Sequence, residues 1–365
     1  MASRYVEKGV PFLRSQNVKP GRIDLSSLKY IDEEFHDQLR KSQLNAGDLV
    51  IVRTGEPGVA AVIPEDLGAV NCSDLVIARP SPDVNVHFLC YAINETARDF
   101  VRAHTVGAVQ QHFNVASAKR LALRLPSRRE QDSVAAVLGA LDGKIAVNER
   151  IAATADELIQ CLYGSALTEP GAREVPLFSA LEITFGAPFA SSEFNSEGTG
   201  RPLLRIRDLK TFQPKVWTTQ RLDKELLVVP GDTVAGMDAE FRPTFWLGES
   251  ALLNQRVLHV RSLIGGGDPL CREALRAPFA LVESYKTGTT VAHLNKSDLA
   301  TLVLEAPSAK AVAWFEAATK PLHERIVAIA AESRALAALR DTLLPQLMSG
   351  KLRVRDAERI VEDAV

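Results

Sequence analysis

The sequence predicts a mixed α/β chain in which two similar globular domains alternate with two long antiparallel helices that form a coiled coil. The two halves are then related by a pseudo-two-fold internal repeat. Three observations predict this. An apolar seam runs through residues 126–167 at alternating steps of four and three; that stretch recurs at a constant offset of 181; and the globules between repeat each other's motifs. Repeats of this kind decide the whole architecture.

The first globule occupies residues 1–125. Val10-Pro-Phe-Leu-Arg14 reads as a short strand entering a polar Ser15-Gln16-Asn17 loop. Gly47-Asp48 turns the chain into Leu49-Val-Ile-Val52, a continuous apolar run typical of a buried strand. Arg53-Thr-Gly55-Glu-Pro57-Gly58 is a turn-rich loop. Val59 to Ile63, Leu75 to Ala78 and Leu121 to Leu125 are further strands, His87 to Val101 a helix, and Thr105 to Asn114 a polar loop.

The first long helix opens at Pro126-Ser127-Arg128-Arg129-Glu130, where Ser followed three residues later by Glu is a capping-box signature. Val134, Leu138, Leu141, Ile145, Ala152, Ala155, Ile159 and Leu162 form the seam, interrupted by Asn148. Such a seam, sustained for roughly five heptads, needs a partner helix, and a polar residue within it sets register. The second long helix, residues 307–348, places Phe315, Leu322, Ile326, Ile329, Leu336 and Leu343 at the matching positions.

Between the helices, residues 168–306 replay the first globule. Pro202-Leu-Leu-Arg205 echoes Pro11-Phe-Leu-Arg14, Arg207-Asp208-Leu209 echoes Gln16-Asn17-Val18, and Gly231-Asp232 echoes Gly47-Asp48. Asn254 before Val257-Leu-His-Val260 echoes Asn71 before Leu75-Val-Ile-Ala78, and Gly288 to Asn295 echoes Gly107 to Asn114. The second globule has a lead-in, Arg173 to Gly186, that the first lacks; the tail 349–365 is the segment that would complete the first globule.

Composition narrows the chemistry. No apolar run approaches the roughly 18 residues of a membrane span, and the N-terminus shows no apolar signal region, so a cytoplasmic protein is expected. Four cysteines lie scattered without metal-ligand spacing, so no metal site is expected. Gly139-Ala-Leu-Asp-Gly143-Lys144 misses the spacing of a phosphate loop and falls inside the helical seam; His323-Glu324 lacks a second zinc-ligating histidine. The expectation is a chain with no active site and no cofactor of its own.

Two similar globules on a paired-helix spacer suit a reader of two half-sites, as dimeric DNA-binding proteins are. Arg pairs with guanine, and Asn or Gln with adenine. The candidate readers are Arg14, Asn17, Arg53, Gln110, Gln111 and His112 in the first globule. In the second they are Arg205, Arg207, Arg242, Asn254, Gln255 and Arg256. A solvated loop position or a local hydrogen bond is the alternative role for each, and the equivalent His112 and His293 suit a shared structural role equally well. The formal charge of −2 requires that positive charge be local or supplied by a partner.

The chain resembles the specificity subunit of a type I restriction-modification system. Leu125-Pro126, Glu130-Gln131, Leu141-Asp142 with Ile145, the Gly47-Asp48-Leu-Val-Ile strand, the Gly107 to Asn114 loop and Leu343-Leu344-Pro-Gln-Leu347-Met-Ser-Gly350-Lys-Leu carry the resemblance, together with the doubled layout. It implies that residues 1–125 and 168–306 are target recognition domains reading a bipartite, asymmetric site on double-stranded DNA. It implies further that the helices dock two copies of a DNA adenine methyltransferase subunit, which holds S-adenosylmethionine, and that a translocating endonuclease subunit can join. The alternative from another class is a coiled-coil scaffold with tandem globules and no DNA contact.

Overall fold

The computed structural model describes residues 4–103, 113–238, 241–286 and 293–363. The chain divides into two compact units, Met1–Lys144 with Leu336–Val365, and Ile145–Ala335.

In the first unit, strands β1 (Val10–Leu13), β2 (Leu49–Val52), β3 (Ala60–Val62), β4 (Val70–Cys72) and β5 (Leu75–Ala78) build two sheets. β1 and β4 are parallel neighbours, with Leu13 opposite Cys72, inside a five-stranded sheet. β5, β2 and β3 form an antiparallel sheet with Leu49 opposite both Ala78 and Val62. All four β2 side chains are buried. Because strand side chains alternate, Val50 and Val52 join Leu13 and Leu44 in one core, while Leu49 and Ile51 join Ile93 and Phe113 in another. Helix α1 (Val86–Ala103) closes the latter core through Cys90, Ile93 and Ala97.

The turn into β2 explains the Gly-Asp pair. Gly47 takes φ +81°, a conformation glycine adopts without strain, and the Asn45 N–H donates to Asp48 Oδ2 at 2.9 Å. Helix α2 (Val115–Arg120) starts at Asn114, whose Oδ1 accepts the Ser117 N–H at 2.9 Å. Helix α3 runs from Arg128 to Thr168, 41 residues or about 60 Å. Ser127 caps it, its Oγ accepting the Glu130 N–H at 3.4 Å. The phosphate-loop look-alike at Gly139 to Lys144 lies within this helix.

The second unit repeats the plan with additions. It contains β6 (Arg173–Pro176), β7 (Leu181–Phe185), β8 (Arg201–Leu204), β9 (Thr233–Gly236), β10 (Thr244–Phe245), β11 (Ala251–Leu253), β12 (Val257–Ser262), helix α4 (Gly267–Lys286), helix α5 (Lys296–Thr301) and β13 (Val303–Ala306). β8 and β11 are the parallel pair, with Leu204 opposite Leu253. The second sheet runs β7-β12-β9-β10, so β7 covers an edge that, among the described residues, has no counterpart strand on β5. Gly231 takes φ +102°, and the Val229 N–H donates to Asp232 Oδ2 at 2.8 Å, reproducing the Gly47-Asp48 turn. Asn295 caps α5 as Asn114 caps α2, its Oδ1 accepting the Asp298 N–H at 2.9 Å.

Helix α6 (Ala309–Ser349) also has 41 residues, and both its ends keep the offset, 309−128 = 181 and 349−168 = 181. Within the second unit, buried Asn148 donates from Nδ2 to Glu332 Oε2 at 2.9 Å and Ser333 Oγ at 3.2 Å. Helix α7 (Val354–Glu362) belongs to the first unit and buries Ala357 and Val361.

One expected strand is absent. Residues 121–125 form no strand, although their counterpart β13 pairs with β6 from Arg173 opposite Ala306 to Pro176 opposite Val303. Strand propensity alone does not hold an extended segment in a sheet without a neighbour to complete its ladder. Among the described residues, the first globule supplies none.

Candidate nucleic-acid interface

In each globule the two parallel strands end side by side, so the chain leaves both at the same edge. Carboxyl ends of parallel strands are where open α/β sheets present ligand-binding loops. After β1 the chain makes a 3₁₀ turn at Ser15–Asn17, and after β8 one at Ile206–Lys210. The Arg14 N–H donates to Asn17 Oδ1 at 3.1 Å, and the Arg205 N–H to Asp208 Oδ2 at 2.9 Å. Asn17 and Asp208 are both buried. Burial pushes the Asp208 carboxyl above its usual range, opposed by the Arg205 N–H and guanidinium. Asn17, predicted as a reader, thus points inward, and its Nδ2 also donates to the Asp24 carbonyl at 3.0 Å. Arg14 is half-buried, donating from Nη2 to the Ser27 carbonyl at 3.0 Å, and Arg205 is half-buried beside Asp208. Arg207 is exposed.

Three segments then meet at a junction built the same way in each globule. In the first, the carbonyl of Asp74 accepts the Arg53 N–H at 3.2 Å, and the carbonyl of Arg53 accepts the Phe113 N–H at 2.9 Å. In the second, the carbonyl of Arg256 accepts the Met237 N–H at 3.0 Å, and that of Met237 accepts the Leu294 N–H at 2.7 Å. Arg53 therefore has Met237, a buried residue, as its counterpart. Gln110, Gln111 and His112 lie outside the described residues, directly before Phe113.

The other predicted readers separate by burial. Asn254 is buried, its N–H donating to the Leu204 carbonyl at 3.2 Å and its Oδ1 accepting the Gln255 N–H at 2.9 Å. Asn71 does the same for Cys72 at 2.8 Å. Gln255 and Arg256 are exposed at the junction. Arg256 Nη1 lies 2.9 and 3.0 Å from the two ring nitrogens of His293, whose Nδ1 is 2.7 Å from Asp238 Oδ1. Arg242 is exposed elsewhere, on a cleft of about 860 Å³ with Asp156, Arg272 and Arg276.

In the first globule a cleft of about 580 Å³ gathers Arg14, Gln16, Lys19, Glu56 and Asp74. Geometry thus adds Lys19, Asp74 and Asp238, which the sequence reading passed over. The available signal was the Ser73-Asp74 turn separating two apolar runs. Among the described residues, no group of three or more His, Cys, Asp or Glu is placed to hold a metal ion, and no helix is long and apolar enough to cross a membrane.

With a mixed α/β globule, a long helix and a second copy of both, the chain is similar in fold to a type I restriction-modification S subunit. The chain matches the crystal structure of such a subunit from M. genitalium with a TM-score of 0.57, over 95% of this chain and 91% of that one, at 12% identity. The HsdS subunit from Thermoanaerobacter tengcongensis aligns over 94% of this chain and 91% of its own, at 19% identity and a TM-score of 0.36. In sequence, the chain is 30% identical over 211 residues to the type I restriction enzyme EcoBI specificity subunit of Escherichia coli, 57% of this chain but 40% of that protein's length. No family model matches. Sequence and fold both bear out the resemblance to type I specificity subunits.

Proposed function

We propose that the chain is the DNA sequence-recognition subunit of a type I restriction-modification complex. In this reading each globule recognises one half of a bipartite, asymmetric site, with Arg14 and Arg53 contributing in the first and Arg205, Arg207, Gln255 and Arg256 in the second. Adenine N6 methylation, and any restriction, falls to partner subunits. The supporting observation is the three-segment junction, repeated in two globules at the ends of parallel strands and furnished with exposed polar side chains. A chain of formal charge −2 would share the work of neutralising phosphates with its partners.

The experiment is a map of methylated adenines in a host genome with and without this chain, its methyltransferase partner being present in both. The expected result is one bipartite motif methylated only with the chain. An unchanged methylation map would refute the reading.

A further inference from the structure

The two junctions share one backbone and carry opposite charges. Asp74 precedes β5 and Arg256 precedes β12, the strands that pair with the Gly-Asp strands β2 and β9. Asp74 has φ +56° and Arg256 φ +75°. Each lends its carbonyl to the residue that follows the Gly-Asp strand. A left-handed backbone at such a turn suits glycine; Asp adopts it more readily than most residues, and a long side chain such as that of Arg256 does so at a cost. A charged side chain on this backbone at equivalent positions in both copies, at a cost in the case of Arg256, points to a use for it.

Their surroundings fit that use. Asp74 is exposed on the cleft that holds Arg14 and Lys19. An ionised carboxylate is an acceptor only, repelled by phosphate, so its partner on a duplex is an amino donor. Arg256 is half-exposed, with one guanidinium nitrogen tied to His293 and with Asp238 Oδ1 3.7 Å away. His293 and Asp238 therefore act as positioning residues that hold a planar, donor-only group.

We propose that Asp74 and Arg256 are the matched specificity-determining positions of the two globules. Arg256 donates to O6 and N7 of a guanine in one half-site, and Asp74 accepts from the N4 amino group of a cytosine in the other. This rests on the DNA-reading function proposed above.

The test uses the full chain in complex with its methyltransferase partner, selecting from duplexes randomised in both half-sites. Asp74→Gly and Arg256→Gly keep the left-handed backbone free of strain, so both variants should melt no lower than the parent chain. Each should lose about tenfold of its preference at one G·C pair in one half-site, leaving the other half-site unchanged. Arg256→Lys should lose part of that preference, an ammonium still donating to O6 and N7 without the planar fork, while the salt dependence of binding stays the same, since the charge remains. Three results overturn the inference alone: preference profiles that superimpose on the parent's, a loss at an A·T pair, or a uniform weakening across all sequences. A parent complex that selects no sequence overturns the DNA-reading function and this inference together.

Discussion

The two globules are fastened to their stretches of long helix by different chemistry from one equivalent position on the backing helix. Tyr91 and Arg272 are equivalent, 272−91 = 181, each on the helix that backs the second sheet. In the first unit Tyr91 Oη donates to Asp142 Oδ2 at 2.5 Å, and Arg340 Nη1 holds Asp142 Oδ1 at 2.6 Å. Burial, then the Asp142 charge, pushes the Tyr91 phenol up, so it stays a donor throughout the ordinary pH range. In the second unit Arg272 is buried against the Phe245 ring at 3.9 Å, ion-paired to Asp156 and to buried Glu273. Arg276 reaches the same two carboxylates at 3.3 and 2.8 Å. One fastening is a hydrogen bond to a paired carboxylate; the other is a buried ionic network. The repeat thus keeps the position on the backing helix and changes both the chemistry and the partner on the long helix, since the counterpart of Asp142 is His323 and not Asp156.

The sharpest way to break that comparison is to remove the central group from each. Arg272→Met leaves Asp156 and Glu273 with Arg276 alone, and the loss of a buried ionic partner costs about 3 kcal/mol. Urea unfolding should show it as a lowered midpoint for the second unit. Tyr91→Phe, which leaves the Asp142–Arg340 pair intact, should cost about 1 kcal/mol in the first unit. Equal losses would mean that the ionic network stabilises no more than a hydrogen bond.

The sheets differ too. β12 lies between β7 and β9, whereas β5 has β2 on one side and, among the described residues, no strand on the other. Amide exchange along Leu75–Ala78 should be on the order of a hundredfold faster than along Val257–Ser262 at the bonds facing away from the Gly-Asp strand. Comparable protection would show that the β5 edge is covered.

Much of this fold was legible in advance, because the signals were local or repeated. The long helices followed from a seam and a constant offset, and the turns at Gly47 and Gly231 from a dipeptide with one backbone solution. The misreadings share a cause. Leu121 to Leu125 has a strand's composition, but a strand depends on a neighbour far away in sequence. Asn17 looked like a reader because Asn can bond adenine, yet it is spent on the backbone of Arg14 and Asp24. The role of Asp74 depends on its φ and on which loops meet it, and neither is written in the residue itself.

The smallest expected difference concerns acid. Arg201 opens β8 and pairs with Glu225 at 2.5 Å, while Val10 opens β1, the matching strand. The Arg201 guanidinium, with help from the Leu222 N–H, holds the Glu225 carboxyl at about 2, below its ordinary 4.5. A lowered folded value means that unfolding is accompanied by proton uptake over this window. The contribution is therefore complete above about pH 4.5 and fades as the pH falls towards 2. Arg201→Met should flatten the acid limb of the second unit's stability between those values and leave the first unit's acid limb unchanged. An acid limb that kept its slope in the variant would show that the pair, accessible to solvent, is too well screened to be felt.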